Sequence, residues 1–274
     1  MVHPLTDITE IDVPIERYLR DVGEVFHVFE HQDSGTTFYG VLVDGKSWFV
    51  KPSNDPTIIK SLRRSLHIHA TVRHPALPNL HRAFQIPGGL ALVYDWVPGE
   101  VLNDPRFTRE QRRHEPMHPH VRFRSLYTNQ IRAAIDTIFD VHRLVADHGF
   151  VASDFYDACI IYDFEDSRTY LCDLDEYRFG PFVLERDRTY GSTRFMAPEE
   201  FERGATIDQV TNVLNLGRCA AVLLGDGTAS LSAWKGTDAM KEVVVRTTSP
   251  ERSQRHQSVR LFVQAWRSAA RDYA

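Results

Sequence analysis

Gly191-Ser-Thr-Arg-Phe-Met-Ala-Pro-Glu199 is the stretch on which the reading of this chain turns. It closes a long irregular segment, and a helical pattern from Ile207 to Leu224 follows it. Taken locally, it is a loop that ends on Pro-Glu before a helix. Upstream, two short strand-like runs, 158–163 and 168–173, end in Cys172-Asp173-Leu-Asp175. Val151-Ala-Ser-Asp154-Phe-Tyr-Asp157-Ala-Cys159-Ile-Ile precedes them. Before that, Tyr127 to His148 repeats Ile131, Ala134, Ile135, Ile138, Val141 and Leu144 at helical spacing, the mark of a buried helix. Val259 to Ala270 reads as a further helix.

The first third has a different character. Glu24 to Glu30 alternates apolar and polar residues, and 37–43 and 47–51 are β-rich and joined by Asp44-Gly45, a tight-hairpin signal. A helix is expected from Pro56 to Val72, then strands over 80–85 and 90–96 separated by Pro87-Gly88-Gly89. Five strands and one helix make a small antiparallel lobe, and after Pro98-Gly99 the chain turns helical. The expected class is α+β with two lobes, divided as 1–96 and 97–274. The stretch 101–125, rich in Arg, His and Pro, reads as a surface insertion. Its His114, His118 and His120 are read as solvated and not as a metal site, because Pro116 and Pro119 split them and arginines surround them.

Bulk properties bound the function. The 274 residues are 42% hydrophobic and 25% charged, with a net charge of −5, which suits a globular chain able to bury a core. The negative balance offers no general attraction to nucleic acid or anionic membranes. No run approaches the length of a membrane-spanning helix, and the first residues do not read as a signal peptide. Cys159, Cys172 and Cys219 are too few and too scattered for a disulfide frame and read as reduced thiols. A cytoplasmic location is the expectation.

The 191–199 stretch matches the pattern Gly-Thr-x-x-Tyr-Met-Ala-Pro-Glu of protein kinases at nearly every position, and the chain resembles that superfamily over nearly its whole length. The resemblance implies a two-lobed kinase-like fold and an ATP- and Mg²⁺-dependent phosphotransferase, a divergent, bacterial-type Ser/Thr kinase with a protein substrate. It implies that Asp154 is the catalytic base and Asp173 the Mg²⁺ ligand, since phosphoryl transfer needs one carboxylate at the acceptor hydroxyl and one at the ion. Lys51, in Trp-Phe-Val-Lys, matches the lysine that contacts the α/β-phosphates. Gly35 and Gly40 fall where the phosphate loop belongs, and Asp95 and Val97 where backbone groups meet adenine, with Tyr94 as gatekeeper. Ser192 falls in the substrate segment. Glu199 is expected to pair with Arg255, and Asn212 stands where an Asp normally braces the catalytic loop.

Four departures accompany the match. The phosphate loop, Glu30 to Thr37, holds one glycine. No Glu lies between Lys51 and Glu100, and alignment on His74-Pro75 puts Ser65 at the usual Glu position, with His69 one turn on and His67 nearby. Cys159 replaces the Asn that holds a second Mg²⁺, a poor exchange for a hard cation, and Asp157 is the nearest alternative ligand. Ser153 replaces the Arg before the base, so an activation-segment phosphate would lack its usual partner. These departures leave open a pseudokinase that binds or scaffolds without catalysis, and a small-molecule kinase of the aminoglycoside type.

Overall fold

Two residues with positive φ, Asp44 at 50° and Gly45 at 77°, turn the chain between the first long strands, a tight hairpin whose hand suits the strand twist. The computed structural model describes residues 2–30, 35–108 and 110–271. The chain divides into two compact units, Met1–Pro98 and Gly99–Ala274.

The first unit contains α1 (Ile15–Val22), β1 (Glu24–Phe29), β2 (Phe38–Val43), β3 (Lys46–Ser53), α2 (Pro56–Thr71), β4 (Leu80–Ile86) and β5 (Gly89–Asp95). Its strands form one antiparallel sheet in the order β1-β2-β3-β5-β4. Period-two alternation gives the sheet two apolar faces. Tyr39, Val41, Trp48, Val50, Ala91 and Val93 pack with Leu5 and with Leu19 of α1. Leu90, Leu92 and Tyr94 pack with Phe49 and with Leu62 of α2, and the alternation puts Lys51 on this second face. Helix α2 starts where Asp55 accepts from the N–H groups of Thr57 and Ile58, at 2.7 and 3.1 Å, with Pro56 at its first position.

The second unit holds β6 (Glu100–Val101), α3 (Gln111–His114), α4 (Pro119–Arg124), α5 (Thr128–Asp147), β7 (Phe150–Val151), β8 (Ile160–Asp163), β9 (Arg168–Leu171), β10 (Arg178–Phe179), β11 (Phe182–Val183), β12 (Thr206–Ile207), α6 (Gln209–Leu224), α7 (Asp238–Thr247) and α8 (Val259–Arg271). Single 3-10 turns lie at Asp157–Cys159, Pro198–Phe201 and Arg252–Gln254. The apolar stripe of α5 is buried as its spacing predicts. Phe139 packs edge-on to Phe262 and Trp266 of α8, with centroids 4.8 and 5.2 Å apart. Helix α6 is buried on almost every face, which is why its sequence runs apolar without a clear stripe. Asp208 caps it by accepting from the N–H groups of Val210 and Thr211.

The insertion departs from expectation. His118 and His120 are 1% and 4% exposed, not solvated. Pro119 does not break the stretch: it takes the first position of α4 behind the His118 cap, where a missing N–H costs nothing, and the helix then carries both imidazoles inward. No group of three metal-ligating side chains occurs among the described residues, and no helix among them is long and apolar enough to cross a membrane.

Candidate active site

In the second unit the chain leaves α5, passes through β7 and enters the loop that carries Asp154. Asn212 of α6 fixes the loop's start: Oδ1 accepts from the Ala152 N–H at 2.8 Å and Nδ2 donates to the Ala152 carbonyl at 2.6 Å. Phe155 seats the next turn, its ring 4.3 Å from His142 and 6.3 Å from Phe195. The strands β8 and β9 then return the chain to Asp173, and their ladder continues with the Cys172 N–H donating to the Cys159 carbonyl at 3.0 Å.

Asp154 and Asp173 both hold left-handed backbone, with φ of 64° and 60°. Among the described non-glycine residues only Asp44 and Ser167, both in turns between strands, share it. A left-handed residue outside such a turn stores strain that the surroundings must impose, and such strain concentrates at functional sites. The charges of both carboxylates act on the same buried groups. Burial pushes the Cys159 thiol well above its usual range, and the charges of Asp173 and Asp154 push it further. The Tyr177 hydroxyl is raised for the same set of reasons. Cys159 is therefore a neutral thiol, 1% exposed, whose Sγ donates to the Asp154 carbonyl at 3.3 Å. It supports the loop.

The turn after Asp173 is anchored from beneath. The His142 Nδ1 proton goes to the Ile138 carbonyl at 2.8 Å, so Nε2 accepts from the Tyr177 hydroxyl at 2.9 Å. Complete burial lowers the His142 pKa to about 4 and keeps the ring neutral.

The segment 191–199 runs directly past Asp154. Gly191 has φ +106°, and a Cβ there would lie 3.1 Å from Asp154 Oδ1. Ser192 follows, half-buried, its carbonyl accepting from the Phe195 N–H. Glu199 receives Arg255 Nη1 at 2.7 Å and Nη2 at 3.1 Å. Arg252 and Thr211 also donate to Glu199. Burial alone would raise the Glu199 carboxyl, but Arg255 and its other donors hold it below the usual range. Glu200 accepts from the Ala197 N–H, Asn215 and Thr189, and its burial raises its pKa.

Asp157, expected as an alternative metal ligand, opens the 3-10 turn after the Asp154 loop. It is 1% exposed, with Oδ2 held by Arg194 Nη2 at 2.6 Å and faced by His120 Nε2 at 3.3 Å. The carboxylate is committed inward.

In the first unit, Lys51 is 8% exposed, with Nζ 5.0 Å above the Phe38 ring. Helix α2 turns neutral groups toward this face. Ser65 bonds the Tyr94 hydroxyl at 3.0 Å, and burial, Arg73 and Lys51 hold the His69 pKa at about 4. Phe49 lies 5.8 Å from Phe29 and from Phe38 and 6.2 Å from Tyr94, so the strands beside Lys51 present linked aromatic rings. Gly40 is glycine for a packing reason, since a Cβ would strike the Phe26 and Trp96 rings at 2.8 Å. Gly35 is a turn glycine with φ +68° and open space around it. Residues 31–34 of the expected phosphate loop lie outside the described residues. Asp95 gives its N–H to the Asn79 carbonyl. Its carboxylate takes Lys46, Asn79 and His81; burial would raise its pKa, and these partners lower it. Val97 follows β5, half-buried.

Sequence reasoning passed over Arg194 and Tyr177 and read His120 as solvated. Arg194 stands inside the quoted 191–199 stretch, at one of its variable positions, where nothing in the sequence tells a structural arginine from an exposed one.

No family model matches the chain. A segment is 33% identical over 111 residues to the serine/threonine-protein kinase Sgk2 of Rattus norvegicus, covering 38% of this chain and 28% of that protein. Part of the chain is thus similar to a serine/threonine kinase, and the match spans little more than a quarter of that kinase's length.

Proposed function

We propose that this chain is a kinase-like, ATP- and Mg²⁺-dependent phosphotransferase of two-lobed design whose acceptor is a protein hydroxyl. The observation that carries the reading is the pair Asp154 and Asp173, both in left-handed backbone, around one buried thiol, with Gly191 pressed against the first. In this reading Asp154 orients the acceptor hydroxyl and takes its proton. Lys51 contacts the nucleotide phosphates, and the 191–197 segment, Ser192 included, receives the acceptor chain. Asp173 suits one hard cation, which would neutralise charge on the transferred phosphoryl group. Cys159, neutral and buried, does not suit a second, and Asp157 is turned away from that task. The similarity to a rat serine/threonine kinase supports the reading.

A second reading is favoured by the first unit: a nucleotide-responsive module without turnover. The rings of Phe29, Phe38, Phe49 and Tyr94 crowd the sheet face beside Lys51, and α2 offers that lysine no carboxylate.

The test is Mg²⁺-dependent transfer from ATP to the chain itself and to a generic protein substrate, beside Asp154→Ala and Asp173→Ala. Phosphoserine or phosphothreonine that disappears in both variants is the expected result. A thermal shift with ATP but no transfer supports the second reading, and neither transfer nor shift rejects both.

A further inference from the structure

Three separate pieces of the second unit meet at Asp157: its own loop, the segment of Arg194 and α4. Arg194, from the segment beside Asp154, donates Nη2 to Asp157 Oδ2 at 2.6 Å and Nη1 to the Gly227 carbonyl at 2.8 Å. His120 reaches the same Oδ2 from α4. Arg124 Nε donates to His120 Nδ1 at 3.0 Å, so the ring proton sits on Nε2, which lies 3.3 Å from Oδ2 without the alignment of a hydrogen bond, and the neutral imidazole packs against the carboxylate. Asp157 Oδ1 has no hydrogen-bond partner among the described residues. Its compensation therefore comes through Oδ2, and in a site 1% exposed that compensation is obligatory.

We propose that Arg194 is a positioning residue: by its bond to Asp157, with His120 packed alongside, it holds the 191–197 segment against the loop of Asp154 without any added phosphate. The proposal rests on the phosphotransferase reading for its purpose, though not for its geometry. Phosphate-dependent ordering needs a cation beside the base, and Ser153 supplies none. Here the segment brings the cation and the loop brings the carboxylate, and no modification is required to create either charge. The contact lies three residues beyond Asp154, whose carbonyl is held by Cys159 Sγ. On the segment side it lies three residues beyond Gly191, and the neighbouring Phe195 carbonyl is fixed by Asn215. The insertion gains a role as well: Pro119 and the His118 cap set the start of α4, which aims His120 at the loop.

Hydrogen–deuterium exchange on the full chain after phosphatase treatment decides the matter, read at the Phe195 and Ala197 amides against those of α5 and α6. The unphosphorylated wild type should show both segment amides protected. Arg194→Gln should speed their exchange at least tenfold with α5 and α6 unchanged, and Arg194→Lys should restore most of the protection. An unprotected segment in the wild type, or unchanged exchange in Arg194→Gln, overturns the proposal. Asp157→Asn should act like Arg194→Gln; if it unfolds the unit, Arg194→Gln, whose side chain is 32% exposed, still decides. In a transfer assay Arg194→Gln should lower kcat with the KM for ATP unchanged. A wild type that transfers no phosphate rejects the phosphotransferase reading and leaves the exchange result standing.

Discussion

Asn212 satisfies both backbone groups of Ala152, its N–H and its carbonyl, with one carboxamide, which a carboxylate cannot do. Asn212→Asp would keep the bond from the Ala152 N–H and set an oxygen against the Ala152 carbonyl, at a position 3% exposed. We expect a loss of about 1–3 kcal/mol in urea unfolding, the cost of an unsatisfied buried acceptor. An unchanged midpoint would refute the two-sided contact. Gly191 meets a related constraint. Its φ of +106° and the 3.1 Å approach of a notional Cβ to Asp154 Oδ1 leave a side chain no comfortable place. Gly191→Ala should lower stability by about 1 kcal/mol or more. It should also cut transfer at least tenfold, because the strain falls on the Asp154 carboxylate. Activity equal to wild type would show that the carboxylate is not held by this segment.

At the scale of elements, the buried Glu199–Arg255 pair ties the 3-10 turn at 198–201 to the loop between α7 and α8. Arg255 is 0% exposed, and its guanidinium also donates to the Ser249 and Pro250 carbonyls. Removing it takes two donors from a buried carboxylate that keeps Arg252 and Thr211, so Arg255→Met should cost about 3 kcal/mol. Arg252 touches the same Glu199 from a side chain 35% exposed, and Arg252→Met should cost about 1 kcal/mol. Urea midpoints of the two variants test the ranking, and equal losses would overturn it. Element identity was largely legible in advance. The Asp44-Gly45 turn, the helical run from Pro56 and the α5 stripe are local features, and the structure forms β2, β3, α2 and α5 close to the expected bounds. The short helices were not legible. Helix α1, with the sequence IERYLRDV, buries only Leu19, and the short α4 buries Pro119, His120 and Phe123, so neither carries the apolar period that sequence reading relies on.

For the whole molecule, the buried histidines set the response to acid. His142 and His69 have native pKa values near 4, against about 6.5 in an unfolded chain. The unfolded chain thus takes up protons that the native state refuses. Their contribution is complete above pH 6.5 and is lost as the pH falls toward 4, by about 2 kcal/mol each at pH 5. His118, His120 and His256 shift in the same direction, while the raised carboxyls of Asp136, Asp157 and Glu200 act in the opposite sense. The difference in urea stability between pH 7 and pH 5 should shrink in His142→Gln, and an undiminished difference would remove His142 from this account. The composition shows thirteen histidines but not which are buried. The sequence by itself determined the antiparallel sheet, the long helices and the aspartates worth testing, because turn chemistry, apolar period and motif spacing are local properties. Only the tertiary structure decided that Asp157 faces Arg194 and His120, that Gly40 lies under two aromatic rings, and that Asn212 bonds both the N–H and the carbonyl of Ala152. Those outcomes depend on which distant residues share a buried site, where an unpaired charge is costly and a Cβ has no room, and sequence spacing does not encode that.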